Sequence, residues 1–76
     1  MKKAVVVGGS GFIGSHVADN LSDAGYQVVI YDKTESKWLR EEQQQVIADV
    51  QDAEKLDKVI VGAEVVYNFA ALADLN

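Results

Sequence analysis

Four of the chain's six glycines, Gly8, Gly9, Gly11 and Gly14, fall within one seven-residue window. Glycine at that density marks backbone that needs close approach or a positive φ. Two spacings fit a phosphate-binding turn. Gly9-Ser10-Gly11-Phe12-Ile13-Gly14 has one residue between its first two glycines, whereas Gly8, Gly11 and Gly14 have two between each pair. In either register the first glycine permits a tight turn out of a strand. Gly11 lets anion oxygens reach the backbone, and Gly14 lets a helix close on the sheet. The helix start then offers unpaired N–H groups and a partial positive charge to a pyrophosphate. A Walker-type loop needs Lys followed by Ser or Thr at the helix start, and Gly14-Ser15-His16 does not supply it.

Two carboxylates follow at useful places. Asp32 lies 18 residues after Gly14, at the end of an apolar run. There it can accept hydrogen bonds from both ribose hydroxyls of an adenosine and would repel a 2′-phosphate, which favours NAD over NADP. Asp49 is expected to end a third strand on the same sheet edge, able to accept from an adenine amino group while Val50 packs on the ring. The alternative for Asp32 is a solvated turn aspartate, and for Asp49 a loop-entry aspartate paired with Asp52 in capping. His16 has no second ligand-type residue at metal spacing and reads as a bystander, so no metal site is expected. Trp38, Tyr26, Tyr31 and Tyr67 read as packing residues.

The elements that must hold these residues follow from patterning. Residues 4–7 form a short unalternated apolar run, which suits a strand buried on both faces. Ile13, Val17 and Leu21 recur every four residues and predict an amphipathic helix ending at Gly25. Residues 26–31 predict a second strand, rich in β-branched and aromatic residues, that stops at Asp32. Residues 37–45 carry good helix formers and predict a short exposed helix. Residues 46–50 predict the third strand. Asp52 predicts an N-cap for a helix over 53–61, whose buried stripe is Leu56, Val59 and Ile60 and which Gly62 ends. Residues 64–69 predict a fourth strand. The order β-α-β-α-β-α-β implies a four-stranded parallel sheet in order 3-2-1-4, a partial Rossmann-type α/β fold.

Composition excludes several classes. The 76 residues allow one small domain, and 12 acidic against 7 basic residues give a net charge of −5. A nucleic-acid or anionic-membrane surface would need clustered Lys and Arg, so neither partner is expected. The absence of cysteine rules out a disulfide or thiolate chemistry within these residues. No apolar run approaches the roughly 18 residues of a membrane span, and only about five apolar residues follow Lys2-Lys3, too few for a signal peptide. A cytoplasmic location is the default expectation.

With these residues placed, the chain resembles the N-terminal part of an extended short-chain dehydrogenase/reductase, and most closely the NAD-dependent epimerase/dehydratase family. The blocks that carry the likeness are GGSGFIGSHV (8–17), VVIYD (28–32), ADV (48–50) and VVYNFAA (65–71). It departs from the usual pattern at Val7, where Thr commonly precedes the first glycine, and at Asn68, where His is common. The resemblance selects Gly8, Gly11 and Gly14 as the working register. It implies that Phe12 and Ile13 present backbone N–H groups to the pyrophosphate of NAD, that Asp32 binds ribose, and that Asp49 and Val50 border adenine. It also implies that Phe69, Ala70 and Ala71 pass the cofactor's pyrophosphate and ribose. The implied activity is transient hydride transfer between a nucleotide sugar and bound NAD. Related NAD(P)-dependent reductases, hydroxysteroid-type dehydrogenases and non-enzymatic NAD sensors would share the same half-domain.

The family's Tyr-x-x-x-Lys pair is absent. Four residues beyond Tyr26, Tyr31 and Tyr67 lie Ile30, Glu35 and Ala71. No catalytic residue is therefore assigned, and the 76 residues are expected to be an inactive N-terminal piece of a longer enzyme. An apolar fourth strand at the sheet edge predicts self-association through that edge.

Overall fold

The computed structural model describes residues 2–69. Its elements run β1 (Lys3–Val7), α1 (Phe12–Asp23), β2 (Gln27–Asp32), β3 (Gln44–Ile47), α2 (Ala53–Ile60) and β4 (Ala63–Asn68). The strands form one parallel sheet in the order β3-β2-β1-β4, the expected 3-2-1-4.

The two central strands explain the unalternated apolar runs. Val5, Val7, Val29 and Tyr31 face one side, where Leu56, Val59 and Ile60 of α2 cover them. Val6, Val28 and Ile30 face the other, against Ala18 and Leu21 of α1. Every residue of β1 beyond Lys3 is therefore buried. A strand sandwiched between helices has no solvent face on which to place polar residues. Gly25, at φ +94°, ends α1 as expected. Asp52 caps α2, its Oδ1 accepting from Lys55 N at 3.2 Å.

The expected helix over 37–45 does not form. That segment makes two turns and then enters β3 at Gln44, two residues earlier than expected, so the element order is β-α-β-β-α-β. Its only large apolar side chains, Trp38 and Leu39, stay exposed, so a helix here would bury no stripe. Polar anchors decide the path instead. Buried Gln43 donates through Nε2 to Asp19 Oδ1 and Ser22 Oγ, both at 3.0 Å, and accepts Arg40 N at 3.1 Å through Oε1. Arg40 adds ion pairs to Asp19 at 3.1 Å and Asp23 at 2.8 Å. The crossover from β2 to β3 is thus pinned to the polar face of α1.

Two packing expectations are also corrected. Tyr31 is fully buried and Tyr26 packs beside the α1 core, but Trp38 and Tyr67 are 47% and 43% exposed. Trp38 meets Phe12 edge-on, and Tyr67 stacks on Phe69.

Gln43→Leu is expected to destabilise the protein by about 1–3 kcal/mol, because half-buried partners lose a buried donor. Arg40→Met is expected to cost no more than about 1 kcal/mol, since its ion pairs are solvent-screened. Urea unfolding midpoints check the contrast.

Candidate functional site

The carboxyl ends of the four strands form one edge, and main-chain hydrogen bonds extend the sheet past them. Gly8 N donates to Tyr31 O at 2.7 Å, Phe69 N to Val7 O at 2.7 Å and Ala48 N to Asp32 O at 2.9 Å. Strand order reverses at β1, which lies between β2 and β4. Such a switch point leaves a crevice above the strand ends. Here it is a cleft of about 600 Å³, lined by Gly8, Gly11, Phe12, Ile13, Gly14, Asp32, Asp49, Val50 and Phe69 among others. All the site residues expected from the sequence and lying within 2–69 therefore share one cleft. Ala70 and Ala71 lie outside the described residues.

The four glycines have four separate reasons. Gly8 turns the chain at φ +78°. A Cβ on Gly9 would meet Ile30 Cγ2 at 2.9 Å and Val6 at 3.1 Å, so Gly9 lets the turn lie flat on the sheet. A Cβ on Gly14 would meet Gly8 O and Gly9 Cα, both at 2.7 Å, so Gly14 sets how closely α1 approaches the turn. Gly11 differs. Its φ is −77°, and the nearest atom to an added Cβ is Gly8 O at 3.9 Å. Nothing in the protein forbids a side chain there.

What faces that space is the start of α1. Gly11 is its N-cap and provides no side-chain cap, and its first turn carries no acidic residue. The first helical hydrogen bond runs from Ser15 N to Gly11 O at 2.9 Å. The N–H groups before it have no partner within the helix. Phe12 and Ile13 leave their side chains 66% and 64% exposed. The arrangement presents donors and the positive end of a helix dipole to the cleft, which suits an anion with several oxygens.

Asp32 lies at the far side of the glycine turn. Its Oδ2 accepts Ser10 N at 3.1 Å and its Oδ1 accepts Thr34 N at 3.2 Å. A carboxylate has about four acceptor positions, so two remain for a diol. Asp49 does not end β3 but stands two residues beyond it, in a turn. The third strand stops at Ile47 because that residue pairs with Asp32, the last residue of β2. Asp49 Oδ1 accepts Gln51 N at 2.9 Å, and its carbonyl accepts the Tyr31 hydroxyl at 2.8 Å. Burial first, then the charges of Asp52 and Asp49, holds the Tyr31 phenol above its ordinary pKa. It therefore acts as a fixed neutral donor that ties the Asp49 loop to β2. His16 is outside the cleft lining, with its ring edge-on to Phe12 at 4.5 Å between centroids.

Sequence reasoning assigned no site role to Val7, Tyr31, Lys33 or Gln51, which also line the cleft. Lys33 had a signal, since it follows Asp32 directly. Tyr31 had none, because a buried aromatic in a strand reads as core. Among the described residues no cluster of His, Cys, Asp or Glu is placed to hold a metal. No helix among them is long and apolar enough to cross a membrane.

Comparisons with known proteins converge on this geometry. The model of the NAD dependent epimerase/dehydratase family matches residues 4–76. The UDP-glucose 4-epimerase of Rhizobium meliloti is 34% identical over 80 residues, covering 95% of this chain and 23% of that protein. The crystal structure of UDP-glucose 4-epimerase from Brucella ovis in complex with NAD superposes with a TM-score of 0.81 at 32% identity, over 91% of this chain and 22% of the other. The Thermotoga maritima UDP-glucose 4-epimerase with UDP-glucose gives 0.79 at 29% identity, over 88% and 23%. The chain thus spans under a quarter of the length of these relatives.

Gly14→Ala is expected to destabilise by about 1–3 kcal/mol, since a methyl group would be forced into backbone. Gly11→Ala is expected to stay within about 0.5 kcal/mol of the parent. Thermal unfolding of the two variants checks the difference.

Proposed function

The chain belongs to the NAD dependent epimerase/dehydratase family, and from that premise we propose that its glycine cleft holds NAD, with the pyrophosphate on the α1 N-terminus and the adenosine ribose on Asp32. The observation that carries the reading is Gly11, a position where the protein itself has room for a side chain and carries none. An anion whose oxygens need the bare backbone accounts for it. The uncapped N-terminus of α1 and the carboxylate across the turn supply the chemistry for the two ends of an ADP moiety.

In this reading the N–H groups of Phe12 and Ile13 donate to the pyrophosphate. Val50 packs on the adenine, and Asp49 meets its amino edge with the carboxylate oxygen not taken by Gln51 N. Phe69, in the cleft wall, passes the pyrophosphate and ribose. Bound NAD supplies reversible hydride acceptance. The whole protein's activity is proposed as nucleotide-sugar epimerisation or dehydration, by transient oxidation of a sugar carbon. The two solved epimerases support that substrate class. The 76 residues contain no Tyr-x-x-x-Lys pair, so they are proposed to bind without turning over. The location is proposed as cytoplasmic.

The edge strand adds one consequence. β4 leaves Val66 and Tyr67 nearly half exposed. We take that edge to be a pairing surface. Sedimentation velocity of the isolated chain should show association that deepens with concentration; a monomer at all concentrations contradicts it.

Calorimetric titration tests the cofactor reading. NAD should bind more tightly than NADP by about tenfold or more, because Asp32 repels a 2′-phosphate. Asp32→Asn should narrow that gap, and Gly11→Ala should weaken both cofactors while leaving the fold intact. Equal affinity of the parent for the two cofactors would remove the role given to Asp32.

A further inference from the structure

The Asp32 carboxylate is held from outside its own strand. One of its two backbone donors, Ser10 N, belongs to the glycine turn, and the other, Thr34 N, belongs to the loop after β2. These two segments are joined to each other by Gln45 of β3. Gln45 Nε2 donates to Ser10 Oγ at 3.0 Å and to Thr34 O at 2.9 Å, and its Oε1 accepts Ser36 N at 3.1 Å. The Ser10 hydroxyl closes the ring by donating to Thr34 O. Both amide hydrogens of Gln45 are used, each on one of the segments that grip Asp32. Lys33 and Thr34 are otherwise exposed.

We propose that Gln45 is a positioning residue that sets the preference of the cleft for a free ribose diol over a 2′-phosphorylated one, acting through Asp32. The inference rests on the dinucleotide reading of the cleft. A diol must be met by two acceptor positions at once, so a carboxylate fixed by one N–H on each oxygen is in place before the ribose arrives. Without the Gln45 amide, only the Ser10 hydroxyl to Thr34 O bond ties the glycine turn directly to the 33–36 loop, and the two segments are held more loosely. The carboxylate then loses its fixed orientation. Lys33, beside it in the cleft wall, is the cation that a 2′-phosphate would reach. Loosening the ring therefore weakens the diol more than the phosphate monoester.

The test uses Gln45→Leu and Gln45→Glu. The glutamate retains an acceptor for Ser36 N but has no hydrogen to donate. Binding of NAD and of NADP is measured by calorimetry, and amide hydrogen exchange is measured at Ser10 and Thr34 without cofactor. The NAD-to-NADP affinity ratio should fall by about tenfold in both variants, the scale of one charge-assisted hydrogen bond, mainly through weaker NAD. The Ser10 and Thr34 amides should exchange faster by a similar factor. Equal weakening of both cofactors, with the ratio kept, would show a merely structural role and overturn the proposal. So would unchanged exchange at the two amides. If Gln45→Leu does not fold, Ser10→Ala breaks the same ring at its hydroxyl, and an unchanged ratio there is equally fatal. A parent protein with no preference, in which Ser10 and Thr34 exchange nevertheless responds to Gln45, would overturn the cofactor reading and this preference while leaving the ring itself intact.

Discussion

The contact on which the rest depends is the approach of α1 to the backbone of Gly8 and Gly9. At Gly14 that approach leaves no room for a single carbon: an added Cβ would lie 2.7 Å from Gly8 O and from Gly9 Cα. Gly9 in turn lies against Val6 and Ile30, so the helix, the turn and the sheet meet as one stack. Because the stack is closed, the first turn of α1 points out at the strand ends, and its unpaired N–H groups collect there instead of inside the protein. The helix needs no side-chain cap if a ligand takes that place.

Charge is arranged around the same point. The first turn of α1 carries no carboxylate that would neutralise its dipole. Of the two acids in the cleft wall, Asp32 and Asp49, Asp32 is turned onto backbone donors of two different loops. A positive helix end and a braced acceptor therefore face one cleft from two sides. An ADP group, with a diphosphate and a ribose diol, suits that pair chemically. The family relationship supports the same match from an independent direction.

Much of this was legible from residues alone, and the reasons are local. The run at 4–7 reports burial directly and the glycine window reports a turn; of the stripe Ile13, Val17 and Leu21, the last two are partly buried, whereas Ile13 is exposed at the cleft. The parallel order 3-2-1-4 followed from alternation of elements. The helix read over 37–45 failed because intrinsic propensity was the only signal there. Gln43, a residue that reads as surface, is buried against Asp19 and Ser22 and holds the segment in turns. That same misreading hid Gln45, whose partners Ser10 and Thr34 lie 35 and 11 positions away in the chain. Asp49 lines the cleft but stands beyond β3, since the pairing of β2 with β3 ends at Asp32 and Ile47. The separate duties of Gly9 and Gly11 become distinct only when the packing around each is known.

The central claim is that the uncapped start of α1 is where the pyrophosphate of NAD is held. Titration of the ¹⁵N-labelled protein with NAD, followed amide by amide, tests it most directly. The account predicts the largest shifts at Gly11, Phe12, Ile13 and Gly14, with a second group at Asp32 and the turn that holds it. Saturable binding that leaves the amides of residues 11–14 unmoved would contradict it.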